Sequence, residues 1–273
     1  MKPSLFTQSL FSLDLFGAID ATAEIGFSAI ELACTSPHLD LETARKKTKE
    51  VAGRIRDAGL VVSALSLFNR FADPACLHEQ VEQAGAFIRL APVFGTEIVK
   101  LTPGPPASSR ATGHHWQSLQ NALDALAPLA VENGVRLAVE THMRQLTDTL
   151  ASSKQLLDTT PARTIGLTVD FSNLSFAGED MPAVIDAFKG RIFHTHIKNG
   201  IIDGAENWHF QALDRGLTDY TEVFPLLLSI GYDGYLSLEC LGENARRHPR
   251  ETAARDLNIL TRYISRANPK DAP

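Results

Sequence analysis

The chain has little of what marks secreted, membrane-bound or nucleic-acid-binding proteins. It holds three cysteines, Cys34, Cys76 and Cys240. Their number is odd and their spacing is not of metal-binding type, so no disulfide framework is expected and a reducing cytoplasm is the expected setting. No apolar run has the length of a membrane span. Near the N-terminus Leu5, Phe6, Leu10 and Phe11 are interrupted by Thr7, Gln8, Ser9, Ser12 and Asp14 before the core of a signal peptide forms. Positive charge is not in excess: 26 Lys and Arg against 32 Asp and Glu leave a net charge of -6. That gives no broad field for phosphate backbones or anionic lipid, so neither nucleic acid nor a membrane is expected as a partner. No glycine-rich phosphate loop is found, which favours an unphosphorylated substrate. No low-complexity linker breaks the composition, and residues 1–273 read as one domain.

What is present is a repeated junction: an amphipathic helix-like run, a glycine, then a short β-branched or apolar run. It occurs at Gly26, Gly59, Gly95, Gly134, Gly190 and Gly231. A glycine there suits the left-handed residue that closes a helix before a strand begins. A seventh joint falls at Pro161, ahead of TIGLTVD, and an opening strand is expected near Ser4 to Ser9. With HPRETAARDLNILTRYI as the last helix, this makes eight βα units. Helix-length crossovers imply a parallel sheet, and eight of them imply closure into an α/β (β/α)8 TIM barrel. From Leu41 to Ala58, Ala44, Val51, Ala52, Ile55 and Ala58 recur near helical spacing, with Arg45, Lys46, Lys47, Glu50 and Arg54 between them, as in an outer-ring helix. The Pro- and Ser-rich TPGPPASSRATG reads as a loop over the barrel mouth, and the tail RANPKDAP is expected to fray.

Four expected strands end in a residue able to bind a metal: Glu140 in VRLAVETH, Asp170 in GLTVDFSN, His196 in FHTHIKN and Glu239 in GYLSLEC. Side chains alternate along a strand, so Ala138, Thr168, His194 and Ser237 share the inward face, while Leu137, Val139, Leu167, Val169 and Leu238 point out to the helices. All four lie at C-terminal strand ends, where such barrels build their active sites. Three carboxylates and one imidazole suit one divalent ion, Mn2+ before Mg2+, Co2+ or Zn2+, with coordination positions left for a substrate carbonyl and its neighbouring hydroxyl. Such an ion would acidify the C–H beside the carbonyl, and Glu140 and Glu239 could carry the proton away and back.

A lone acidic residue at a strand end is usually a helix cap or an ion-pair partner. Four at corresponding ends are hard to assign to capping. His194 reads as a supporting or core residue rather than a ligand. His142, two residues beyond Glu140, reads as a substrate contact or acid/base group, with a surface histidine as the alternative. Lys100 and Lys198 are candidate substrate hydrogen-bond donors or ion-pair partners of neighbouring carboxylates. His114 and His115 read as parts of a solvated loop, and the cysteines have no base at a recognisable spacing.

Together, GFSAIELA, the ETH of strand five, VDFSN, HTHIKN and DRGLTDYTEVFPLLLSIGYDGYLSLE resemble the sugar phosphate isomerase/epimerase superfamily, the xylose-isomerase-like TIM barrels that also include endonuclease IV. The resemblance covers nearly the whole chain. It implies one divalent metal on Glu140, Asp170, His196 and Glu239, with Glu140 and Glu239 as the acid/base pair and Arg215 at a position that contacts substrate. It also implies a homo-oligomer. Two positions depart from the pattern: Asn173 stands where members often have histidine, and Asn199 where they have aspartate. Asn173 could donate a hydrogen bond to substrate but cannot act as a base. The further histidines and carboxylates of a multinuclear zinc cluster are missing, which argues against DNA repair. ETHMRQLTDTLASSKQLL and SLECLGENARR also resemble metal-dependent 3-dehydroshikimate dehydratases, which implies a catalytic role for His142. The expected activity is isomerisation or epimerisation of a small polyhydroxylated keto or aldo sugar or keto-polyol. Dehydration stands second and a non-catalytic carbohydrate-binding barrel third.

Overall fold

The computed structural model describes residues 1–204 and 207–267. Seven strands come first: β1 (Lys2–Phe6), β2 (Ala29–Ala33), β3 (Val61–Ser66), β4 (Ile98–Leu101), β5 (Arg136–Glu140), β6 (Ile165–Asp170) and β7 (Ile192–Ile197). An antiparallel hairpin, β8 (Asn199–Ile202) and β9 (Trp208–Gln211), separates them from β10 (Tyr235–Leu238). Strands β1 to β7 pair in sequence order and β10 bridges β7 to β1, closing an eight-stranded parallel barrel. The helices are α1 (Leu15–Ile25), α2 (Leu41–Asp57), α3 (Leu77–Phe94), α4 (Gly113–Glu132), α5 (Leu150–Asp158), α6 (Phe171–Phe176), α7 (Met181–Phe188), α8 (Tyr220–Ser229), α9 (Glu243–Arg247) and α10 (Pro249–Ala267). None of the described helices is long and apolar enough to cross a membrane.

The junction glycines do what the sequence asks of them. Gly26 closes α1 at φ 106°, and the other five also adopt positive φ. Helix starts are fixed by carboxylates: Asp14 accepts from Gly17 N at 2.7 Å, and Asp40 from Thr43 N at 2.7 Å. The outward residues Leu137, Val139, Leu167, Val169 and Leu238 are fully or almost fully buried in the core shared with the helices. Inside the barrel a small apolar layer of Ala64, Ile98 and Ala138, with Phe193 against it, lies apart from that core. Above it the interior turns polar, with Ser4 bonded to Ser63 (2.8 Å) and Thr168, His194 and Ser237 buried.

Three expectations are corrected. The opening strand runs from Lys2 to Phe6 rather than Ser4 to Ser9, and Thr7–Leu10 is a 3₁₀ turn. The Thr7 side chain accepts from Ala33 N at 2.9 Å, replacing the backbone partner that would have extended the ladder. His114 and His115 open α4 rather than sit in a loop, and His115 Nδ1 accepts the Thr112 backbone N–H. The β8–β9 hairpin is an addition to the expected elements, although Asp203-Gly204, directly after Ile201 and Ile202, is a hairpin signal. The fraying tail falls mostly on residues 268–273, outside the described residues.

Gly166 faces the barrel interior on β6, and a Cβ there would lie 2.5 Å from Arg191 O and 2.7 Å from the Phe193 ring. Gly166→Ala is therefore expected to destabilise the barrel by about 2 kcal/mol, read as a lower urea midpoint at unchanged m-value.

Candidate metal centre and active site

Glu140 and Asp170 are the last residues of β5 and β6, His196 is the penultimate residue of β7, and Glu239 directly follows β10. Parallel register sets Asp170 opposite His196 and His196 opposite Ser237, two residues before Glu239. One ligand atom from each of the four lies within 4.8 Å of the others, and no member is more than 6% exposed.

Burial of so much like charge is compensated from inside the site. Lys100 Nζ donates to Glu140 Oε2 at 2.9 Å and to Leu67 O at 3.2 Å. Lys198 Nζ lies 2.5 Å from Glu239 Oε2 and 2.6 Å from Asp170 Oδ2. Burial would raise the Glu140 pKa, but Lys100 and His196 outweigh it and hold it well below the usual carboxylate range. Burial raises the Asp170 carboxyl, and the neighbouring Glu239 and Glu140 add to this against Lys198. Burial opposes the charged form of Lys198, yet Asp170 and Glu239 keep its ammonium protonated. His196 is likewise disfavoured as a cation by burial, but the carboxylates of Glu31 and Glu140 raise it to about 10.

The residues fit a divalent cation. Asp170 Oδ1 caps α6 by accepting from Asn173 N at 2.9 Å, whereas buried Oδ2 accepts no hydrogen bond of normal geometry despite the nearby Lys198 ammonium. Four buried carboxylates, those of Glu31, Glu140, Asp170 and Glu239, face only two ammonium groups. A divalent ion on His196 Nδ1 would take the place of the proton by which that ring now shares its charge with Glu140.

Above these groups a cavity of about 290 Å³ opens at the mouth, lined among others by Phe6, Phe68, Lys100, Glu140, His142 and Glu239. A larger recess of about 820 Å³, between β9 and α9, contains none of the four carboxylates. His142 is half-buried, with Nδ1 donating to Met143 O at 2.9 Å, which leaves Nε2 free. Arg144, two residues on, adopts φ 61° and places its guanidinium 4.1 Å from the Trp208 ring centroid, tying this loop to β9.

Lys100 is ion-paired and also borders the cavity, whereas Lys198 is ion-paired without bordering it. Asn173 is buried, with its amide NH2 on Thr141 O at 3.0 Å and its Oδ1 without a partner. Arg215 is exposed, away from the cavity lining. His194 packs on Glu31 Oε2 at 2.9 Å, in keeping with a supporting place. Glu31 is the residue that sequence reasoning missed. The available signal was a carboxylate in the middle of the otherwise apolar strand AIELA.

A closed parallel barrel with three carboxylates and an imidazole converging at its C-terminal mouth is an arrangement that could hold a divalent ion. The chain belongs to the xylose isomerase-like TIM barrel family, whose sequence model matches residues 19–263. A xylose isomerase-like TIM barrel protein from Mycobacterium smegmatis, solved in complex with magnesium, superposes with TM-score 0.77 at 18% identity, covering 97% of each chain. Among curated proteins the chain is similar to the inosose dehydratase of Clostridium perfringens, 27% identical over 152 residues. That match covers 50% of this chain and 51% of the dehydratase, so the chain spans about half the length of this relative. Among solved structures it is similar to the probable 3-DHS dehydratase AsbF of Bacillus anthracis, with TM-score 0.80, 22% identity and coverage of 96% and 99% of the two chains. An L-ribulose 3-epimerase superposes with TM-score 0.79 at 20% identity, covering 98% of this chain and 96% of its own. At these identities the structural likeness speaks for the fold.

Mn2+ added at about 100 times its Kd to chelator-treated protein is expected to stabilise it by about 2.7 kcal/mol. That corresponds to a Tm rise of roughly 5–10 °C by calorimetry. Asp170→Asn is expected to abolish most of that rise.

Proposed function

We propose that the chain is a divalent-metal-dependent isomerase or epimerase of a small polyhydroxylated ketose, aldose or keto-polyol, with residues 1–273 acting as one barrel domain. The observation that carries this reading is the convergence of Glu140, Asp170, His196 and Glu239 within 4.8 Å beneath the mouth cavity. At about 290 Å³ the cavity lies at the lower end of ligand pockets, the size of one small sugar. Mn2+ is the favoured ion, held by those four side chains, and it would supply Lewis acidity to a substrate carbonyl.

The proton chemistry falls to the two glutamates. Only Oε2 of Glu239 is held, by Lys198, and Oε1 carries no hydrogen bond. Glu239 is therefore the freer base at the cavity wall. It takes the proton on the carbon beside the carbonyl; the C–H electron pair becomes a C=C bond as the carbonyl π pair moves onto oxygen, giving an enediolate. Glu140, with one oxygen on His196 and the other on Lys100, sits across the site on β5; it passes a proton taken up from water in the cavity to the same carbon from the other face while Glu239 releases its own to water, or else Glu239 returns its proton to the neighbouring carbon. The first outcome is epimerisation and the second isomerisation. Lys100, at the cavity wall, keeps Glu140 anionic between turnovers.

Dehydration is the second reading, favoured by His142, which borders the cavity beside Glu140 with Nε2 free. In that case the enediolate electrons expel a β-hydroxyl, and His142, when protonated, supplies the proton that makes it water. The similarity to an inosose dehydratase supports the same reading.

Incubation with Mn2+ and a panel of ketoses and keto-polyols in D2O is expected to place deuterium on the carbon beside the carbonyl. Glu239→Gln is expected to slow exchange by about 10²–10⁴-fold. Sugar binding without any exchange in the wild type would leave a carbohydrate-binding barrel. A growing ultraviolet absorbance from a conjugated enone, lost in His142→Ala, would select dehydration.

A further inference from the structure

Beneath the four converging side chains lies a second buried cluster that takes no part in the proton chemistry. The Glu31 carboxylate, fully buried on β2, forks between two imidazoles: Oε1 is 2.8 Å from His196 Nε2, and Oε2 is 2.9 Å from His194 Nε2. Ser66 Oγ donates to Oε1 as well. The register of β2 on β3 shifts between Ile30 and Glu31, the kind of irregularity that re-aims a side chain. Phe6 stacks on the His196 ring at 5.1 Å and 27°, closing one of its faces. His194 meets His196 edge-on at 5.8 Å. The His196 ring is thus held by a carboxylate at one nitrogen and an aromatic face on one side, while Nδ1 points to Glu140 Oε1 at 3.2 Å.

We infer that Glu31 is the positioning residue of the metal centre: it fixes the His196 tautomer with hydrogen on Nε2, so that the Nδ1 lone pair is presented to the ion among Glu140, Asp170 and Glu239. An imidazole offers a metal only the nitrogen without hydrogen, and a carboxylate on the far nitrogen decides which one that is and raises its basicity. The direct hydrogen bonds from both histidines to Glu31 fill the space between them, so Glu31, His194 and His196 form a support for one centre rather than a second ion site. His194 in turn fixes the carboxylate through its second oxygen, as Ser66 does through the first.

This inference rests on the metal-site reading, and the experiment separates the two. Calorimetric titration of chelator-treated wild type with Mn2+ tests the site itself; no binding there removes the metal reading and this inference together. If wild type binds, Glu31→Gln is expected to weaken Mn2+ roughly 10- to 100-fold while its circular dichroism stays that of wild type. A folded Glu31→Gln protein that binds Mn2+ within threefold of wild type overturns the role of Glu31. A measurement on the unaltered protein covers the case in which the variant does not fold. In ¹⁵N-histidine spectra of the Zn2+-loaded wild type, His196 is expected to carry its proton on Nε2 with Nδ1 metal-shifted, and the opposite tautomer overturns the inference.

Discussion

Mutual repulsion among carboxylates withdrawn from water is the constraint around which the mouth of this barrel is arranged. Each buried ion costs several kcal/mol of lost hydration, and a cluster of one sign costs more. The chain meets this with opposite charge brought in along neighbouring strands: Lys100 from β4 to Glu140, and Lys198 from just beyond β7 to Asp170 and Glu239. Hydrogen bonds do the rest, with the two imidazoles on Glu31 and the start of α6 on Asp170. The lysines are therefore part of the electrostatic frame of the site, and His196 shares the carboxylate charge that they leave.

The same frame explains which parts of the molecule could be read from the chain. Strand alternation and helix-closing glycines are local signals, so barrel order, the inward set Ala138, Thr168, His194 and Ser237, and the four strand-end residues all follow from spacing. Glu31 did not follow, because its partners His194 and His196 are more than 160 positions away and nothing near AIELA announces them. Lys100 and Lys198 were legible as residues of the site, but not whether they face substrate or carboxylate. That depends on a distance of one side-chain length, which barrel closure sets. The early end of β1 depended on one threonine hydroxyl reaching Ala33 N. The β8–β9 hairpin, by contrast, has a local signal in Asp203-Gly204, and eight strands complete the barrel without it.

Asp170 shows how a common structural role and a site role coexist in one side chain. As a helix cap its Oδ1 is unremarkable, one of several such caps in the chain. Capping fixes the carboxylate plane, and that leaves Oδ2 aimed at its three neighbours without the rotamer freedom a surface aspartate would have. The barrel thus obtains a rigid oxygen donor from the same geometry that starts the next helix.

The stack of Arg144 on Trp208 bears on how the segment that carries His142 is held. His142 and Arg144 belong to one short segment after β5, and Trp208 belongs to β9 of the hairpin that follows β7. A cation–π contact of about 0.5–2 kcal/mol breaks and reforms readily under thermal motion. The same segment is held from its other end by Gln145, whose Oε1 accepts from Gly104 N at 2.8 Å, so loss of the stack frees Arg144 without releasing the loop that carries His142.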